Sequence, residues 1–93
     1  MHDAWVDEMI NRRRSETGIL GEILRLAQNG MKKTHIQYKA NLSYAQLQIF
    51  LTFAVERGLF ETKSGNPNVM YRTTQKGIEL LALIEELNRM LSE

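Results

Sequence analysis

A fold of the α+β class, mostly α, is predicted for this 93-residue chain by three observations. Apolar residues recur at helical spacing over three separate stretches, about 16–29, 44–57 and 75–91. Two short segments between the second and third stretches, 59–63 and 69–73, are rich in aromatic and β-branched residues. They flank Ser64-Gly65-Asn66-Pro67-Asn68, a run of turn formers that reads as the loop of a hairpin.

Each element follows from local chemistry. Trp5, Val6, Met9 and Ile10 are spaced for one face of a short helix within residues 3–14, which ends in Arg12-Arg13-Arg14. Ser15 is a suitable N-cap, and Glu16 then places a negative charge in the first turn of helix 1. Ile19, Leu20, Ile23, Leu24, Leu26 and Ala27 form its apolar stripe, Gly18 and Gly21 weaken it, and Gly30 stops it after Asn29. Met31-Lys32-Lys33 reads as a short extended segment. Thr34 is expected to cap a short helix reaching Lys39, with Ile36 inward. After the tight turn Ala40-Asn41-Leu42, Ser43 caps a helix from Tyr44 to Arg57, with Leu47, Phe50, Leu51 and Ala54 inward and Gly58 at its end. Two helices joined by a turn this short form a helix-turn-helix. Thr74 caps the last helix, Gln75 to about Leu91. Helix, short strand, helix, helix, hairpin, helix is the order of a winged helix with a C-terminal extension. The expected organisation is an N-terminal helical and basic extension at 1–14, a winged helix-turn-helix at 15–74 and a C-terminal dimerisation helix at 75–93.

Composition narrows the function classes. The length fits one domain, and a chain this size buries roughly two-thirds of its unfolded surface. No apolar run approaches the roughly 20 residues that cross a bilayer, so a soluble chain without membrane contact is expected. Met1-His2-Asp3-Ala4-Trp5 lacks the basic and apolar segments of a secretory signal. With no cysteine, disulfides and thiolate zinc sites are excluded, and the cytoplasm is the expected compartment. The net charge is only +1, so any case for nucleic acid rests on where the charges sit.

Three strings carry a family resemblance. Lys33-Thr34-His35-Ile36-Gln37-Tyr38-Lys39-Ala40-Asn41-Leu42-Ser43-Tyr44 is the most specific. Glu56-Arg57-Gly58-Leu59-Phe60 matches a helix-to-wing junction, and Tyr71-Arg72-Thr73-Thr74-Gln75-Lys76-Gly77-Ile78-Glu79-Leu80-Leu81 matches an exit from the wing. Over about residues 13 to 91 the chain resembles the small archaeal winged-helix DNA-binding proteins, which include ten-kilodalton chromatin-associated proteins and related transcriptional regulators. The resemblance implies a winged-helix dimer, joined through its last helices, that binds duplex DNA. Members often carry a longer C-terminal helix in an antiparallel coiled coil. Here the sequence stops soon after Leu91, which speaks against a long coiled coil though not against a shorter helix pair.

The basic residues fall at three framework positions: Arg12, Arg13 and Arg14 before helix 1, Lys32, Lys33, His35 and Lys39 around helix 2, and Lys63, Arg72 and Lys76 around the hairpin. In a winged helix these positions can approach one duplex, where phosphates attract cations with salt-dependent energy. For a single lysine a solvated surface explains the residue equally well. The candidate phosphate contacts are Arg13, Arg14, Lys33, His35, Lys39 and Arg72. On helix 3 the face opposite the core shows Ala45, Gln48, Ile49, Thr52 and Glu56. Gln48 can pair bidentately with adenine, and Ala45, Ile49 or Thr52 can meet a thymine methyl. Ser43, Tyr44 and Gln46, at the helix start, could reach phosphate or base edges. Helix 3 has no Lys or Arg before Arg57, so strong guanine readout is not expected, and selectivity should be modest or lean to A·T. The rival reading is a protein-docking module without DNA binding, since fold alone does not set function. It would gain if Arg13, Arg14, Lys33, Lys39 and Arg72 failed to share a face with helix 3.

No chemistry is expected. His2 and His35 lie far apart, and no Gly-rich phosphate loop, Gly-x-Ser-x-Gly or His-Glu-x-x-His string is present. Acidic pairs such as Asp7-Glu8 and Glu85-Glu86 read as solvated helix faces. The chain is therefore expected to be no enzyme, with no metal, cofactor or small-molecule substrate. The expected partners are double-stranded DNA, which would place the chain with the nucleoid, and a second copy of the chain. The argument for a homodimer is angular. At about 100° per residue, Ile78, Leu81 and Ala82 fall on one stripe of the last helix. Leu80, Leu83, Ile84, Leu87, Met90 and Leu91 fall on the other side, and one winged-helix body should cover only one stripe. Trp5, Val6 and Met9 are a competing cover for the same stripe within one chain.

Overall fold

The computed structural model describes residues 16–65 and 69–92. Within them the chain forms helix α1 (residues 16–26), strand β1 (Met31–Lys32), helices α2 (Lys33–Ala40) and α3 (Tyr44–Glu56), strands β2 (Phe60–Ser64) and β3 (Val69–Thr73), and helix α4 (Gln75–Ser92). This is the expected order. The predicted helix at 3–14 and the Ser15 cap lie outside the described residues.

The sheet is antiparallel, in the order β1-β3-β2, with Phe60 opposite Thr73 and Met31 opposite Tyr71. Its inner face and the helices enclose one core. Ile23 and Leu24 from α1, Ala27 just after it, Ile36 from α2, and Leu47 and Ala54 from α3 are completely buried in it. Leu59 and Phe60 enter from the start of the hairpin, and Leu81 and Ile84 from α4.

Helix α1 ends three residues before the expected Asn29, in a tightened turn in which the Gln28 amide donates to the Arg25 carbonyl and the Gly30 amide to the Ala27 carbonyl, and β3 is fastened to this end. Thr73 Oγ1 donates to the Leu24 carbonyl at 2.6 Å, and the Thr73 amide donates to the Ala27 carbonyl at 2.9 Å. Gly30, at φ 91°, then redirects the chain into β1. Thr34 does not cap α2. That helix starts directly out of β1, its N-cap is Lys32 with no side-chain bond, and Thr34 already lies in its first turn. Asn41, at φ 54°, ends α2 in the left-handed conformation. Ser43 does cap α3, within a full capping box. Its Oγ accepts from the Gln46 amide at 3.1 Å, and Gln46 Oε1 accepts from the Ser43 amide at 3.0 Å.

The junction of α3, the hairpin and α4 is a small knot of polar contacts. Thr74 Oγ1 accepts from the Gly77 amide and donates to the Gly58 carbonyl, so the predicted cap of α4 also fastens the end of α3. Lys76, expected beside the hairpin, donates from Nζ to the Arg57 carbonyl at 2.8 Å, where a cation complements a helix C-terminus. Gly77 is buried at the first turn of α4, against the Leu59 carbonyl and the Thr73 methyl.

The angular reading of α4 needs correction. Leu81 and Ile84 do not lie on opposite sides: both are buried in the same core, and Leu80 packs half-buried beside them. Gly21 of α1 makes this possible, since a Cβ there would already sit 3.2 Å from Ile84 Cγ2. The apolar stripe left open is Leu83, Leu87, Met90 and Leu91, which borders the core face instead of opposing it. Ile78 and Ala82, expected on the covered side, are exposed.

Candidate nucleic-acid interface

Helix α3 is seated by Leu47, Leu51 and Ala54 and stands between two grooves. On one flank it faces the hairpin, across a groove of about 380 Å³ lined by Lys33, Gln48, Thr52, Val55 and Glu56 with Thr62 and Tyr71 opposite. On the other it faces α1, across an apolar groove of about 370 Å³. On the face opposite its core side, Ala45, Gln48, Ile49, Thr52 and Glu56 are all exposed, as helical spacing predicts.

The entrance of α3 carries a cation. Lys33 Nζ lies 4.8 Å above the centre of the Tyr44 ring and donates to Tyr44 Oη at 3.4 Å. The ring holds the ammonium beside the first turn of α3. An anion there would meet a lysine and the positive end of the helix dipole together. Glu56, at the far end of the same groove, opposes an anion.

The other predicted contacts are distributed differently. Ser43 and Gln46 commit oxygen acceptors to the capping box. His35 and Lys39 are exposed, but they lie roughly 160° and 120° round α2 from Lys33, on the flank away from Tyr44. In β3, Tyr71 and Thr73 turn inward, so the pleat turns Met70 and Arg72 to the outer face of the sheet. Arg72 therefore sits with Lys63 and Glu61 behind the hairpin, not beside α3. Arg13 and Arg14 lie outside the described residues. Of the five cations expected to share a face with α3, Lys33 does so, while Lys39 and Arg72 do not.

Tyr71 and Thr62 were not among the expected site residues, yet they form the far wall of the hairpin groove. Their signal was present: once Thr73 is read as inward, alternation along β3 puts Tyr71 on the α3 side, and Thr62 pairs with it.

The family model described as winged helix-turn-helix matches residues 13–92. The chain belongs to the winged helix-turn-helix family. Among solved structures, Sso10a-2, a DNA-binding protein from Sulfolobus solfataricus, matches with a TM-score of 0.77 and 29% identity, over 82% of this chain and 80% of that one. MepR, a transcription regulator of the Staphylococcus aureus multidrug efflux pump MepA, matches at 0.65 and 13% identity, over 99% and 83% of the two chains. The transcriptional repressor BigR from Xylella fastidiosa matches at 0.56 and 19%, over 90% and 94%. The last two likenesses are of fold. A comparison with curated proteins returned no match. The resemblance to small archaeal winged-helix proteins thus stands, on the family match and on Sso10a-2. In winged-helix terms α3 is the second helix of the helix-turn-helix, and β2 and β3 are the wing. Among the described residues no helix is long and apolar enough to cross a membrane.

Proposed function

We propose that this winged-helix chain binds double-stranded DNA as a small transcription regulator or nucleoid-associated protein, with α3 in the major groove. The carrying observation is the face of α3: Ala45, Gln48, Ile49 and Thr52 project together from a helix seated by its opposite side, with the Lys33 ammonium at its entrance. The description of Sso10a-2 as a DNA-binding protein, at 29% identity, supports the reading.

Gln48 offers a bidentate amide to adenine, and Ala45, Ile49 and Thr52 offer apolar contact to thymine methyls. Because α3 carries no Lys or Arg, guanine is not favoured. Lys33 neutralises a phosphate at the groove edge, with Arg13 and Arg14 as further candidates. The reading assigns binding and no chemistry, and the cytoplasmic nucleoid is where such a protein would act.

The test is a mobility shift with random duplex DNA across a range of salt. Lys33→Ala should weaken all duplexes alike and flatten the salt slope by about one unit. Gln48→Ala should relax selection from a random pool by roughly 1–3 kcal/mol at one position, with little loss of non-specific affinity. No binding even at low salt would refute the reading and favour the protein-docking alternative.

The proposal includes a homodimer joined through α4. Leu83, Leu87, Met90 and Leu91 are 66%, 45%, 61% and 53% exposed, an apolar stripe that monomers rarely leave open. Each such side chain contributes roughly 1.5–3 kcal/mol when buried, and a two-fold axis would present two copies of α3 to two half-sites. Ile84 and Leu80 belong to the chain's own core and support the stripe from beneath. Analytical ultracentrifugation should find a dimer, and a monomer for Leu83→Glu/Leu87→Glu. A wild type that is monomeric at tens of micromolar would refute the dimer.

A further inference from the structure

The groove on the α1 side of α3 shares only Ile49 with the proposed DNA contact, and it is the more apolar of the two. Leu20 forms one wall with Thr17, Ile49 and Phe53 form the other, and Phe50 forms the floor. Ile49 is 67% exposed and Phe53 41%, so two large apolar side chains of α3 stand open to water. At about 370 Å³ the groove has the size of sites that bury apolar groups.

We infer that this groove is the docking site of the chain's own N-terminal segment, which seats Trp5, Val6, Met9 and Ile10 against Leu20, Ile49 and Phe53. Two observations select this occupant. The groove has Glu16 at its edge, and five residues lie between Ile10 and Glu16, six steps that span up to about 20 Å. The segment carries its apolar residues at the spacing of a single helix face, which suits a groove between two helices. An occupant on the same chain also loses less freedom on docking than a separate molecule, because its effective concentration is fixed by a short tether. Docking covers the α1 side of Ile49 and leaves Gln48 and Thr52, on the other groove, uncovered.

Trp5 is the only tryptophan, so its fluorescence reports this contact directly in the full chain. The wild type should show blue-shifted emission, protected from acrylamide and independent of protein concentration. Ile49→Asp and Phe53→Asp change exposed positions, and far-UV circular dichroism checks that both variants stay folded. Either one should shift the emission to the red and raise the acrylamide quenching constant several-fold, whereas Leu87→Asp should leave both unchanged. In the wild type, nuclear Overhauser contacts should join the Trp5 indole to Ile49 and Phe53, a readout that needs no variant. Emission like that of free tryptophan would overturn the inference. So would protection lost on dilution, which would mean a second copy, or protection that responds to Leu87→Asp instead, which would place the segment on α4. DNA affinity does not enter these readouts, so the docking and the DNA reading can fail separately.

Discussion

Replacing Gly77 by alanine tests the packing of the wing against α4, because two physical effects predict opposite signs. Gly77 lies in the first turn of an 18-residue helix, and helix propensity alone favours alanine over glycine by about 1 kcal/mol. Packing says the reverse. A Cβ at Gly77 would stand 2.4 Å from the Leu59 carbonyl oxygen, 2.6 Å from Thr73 Cγ2 and 3.3 Å from Leu24 Cδ2. The first of these falls about 1 Å short of ordinary contact, and the atom is backbone. Nor can it retreat freely, since the Leu59 carbonyl accepts from the Thr74 amide at 2.9 Å. Thr73 is held as well, by its bond to the Leu24 carbonyl. Overpacking of a fixed core costs about 1–3 kcal/mol, and a clash with backbone belongs at or above the top of that range. The expected net loss is therefore about 2 kcal/mol, or a fall in Tm of roughly 8–16 °C for a domain of this size. Gly18→Ala is the control. Among the described residues nothing lies within 4 Å of a Cβ there, so propensity acts unopposed and stability should rise by about 0.5–1 kcal/mol. The measurement is thermal and urea unfolding of the full chain by circular dichroism, at one protein concentration. A Gly77→Ala variant as stable as the wild type, or more so, would refute the close approach of α4 to Leu59.

Two further stability predictions come from single hydrogen bonds. Ser43→Ala removes one half of the capping box of α3 and should cost about 1 kcal/mol, while Ser43→Asp, which can still accept from the Gln46 amide, should restore most of it in urea unfolding. Thr73→Val keeps the side-chain shape but leaves the buried Leu24 carbonyl without its hydroxyl donor. It should cost about 1–3 kcal/mol, and Thr73→Ser should cost less; the reverse order would mean that the methyl matters more than the hydroxyl.

The sequence makes the element order readable because each element carries its own punctuation. Ser43 and Thr74 are caps in fact as in pattern, and Gly58, at φ 71°, follows the end of α3 as expected, while Gly30, at φ 91°, follows a turn beyond the end of α1. What failed depended on tertiary partners. The end of α1 is tied to β3 by Thr73, a residue 49 positions from the Leu24 carbonyl that it meets, and no local signal announces that bond. Thr34 has the right chemistry for a cap, but strand β1 delivers the chain into α2 two residues earlier. On α4 the apolar residues cover more than half the circumference, so periodicity alone does not divide core from surface. Gly21 decides it by admitting Ile84 to the core. The site was legible as a face of α3 but not as a set of cations, because the pleat of β3 and the turn of α2 carry Arg72 and Lys39 to other surfaces.

That distribution of charge bears on how the proposed DNA contact would work. The exposed face of α3 has no cation, and its one charged group, Glu56, is negative. Bringing α3 against a duplex therefore gains little from phosphate neutralisation along the helix itself. The attraction has to come from its borders: Lys33 at the entrance and, in the proposed interface, Arg13 and Arg14. Affinity and selectivity are then carried by different residues. Changes at the border should move the salt slope and leave the preferred sequence alone, and changes at Gln48 or Thr52 should do the opposite. A chain with a net charge of only +1 can bind a polyanion on these terms, because the few cations next to α3 are not diluted by the acidic residues elsewhere.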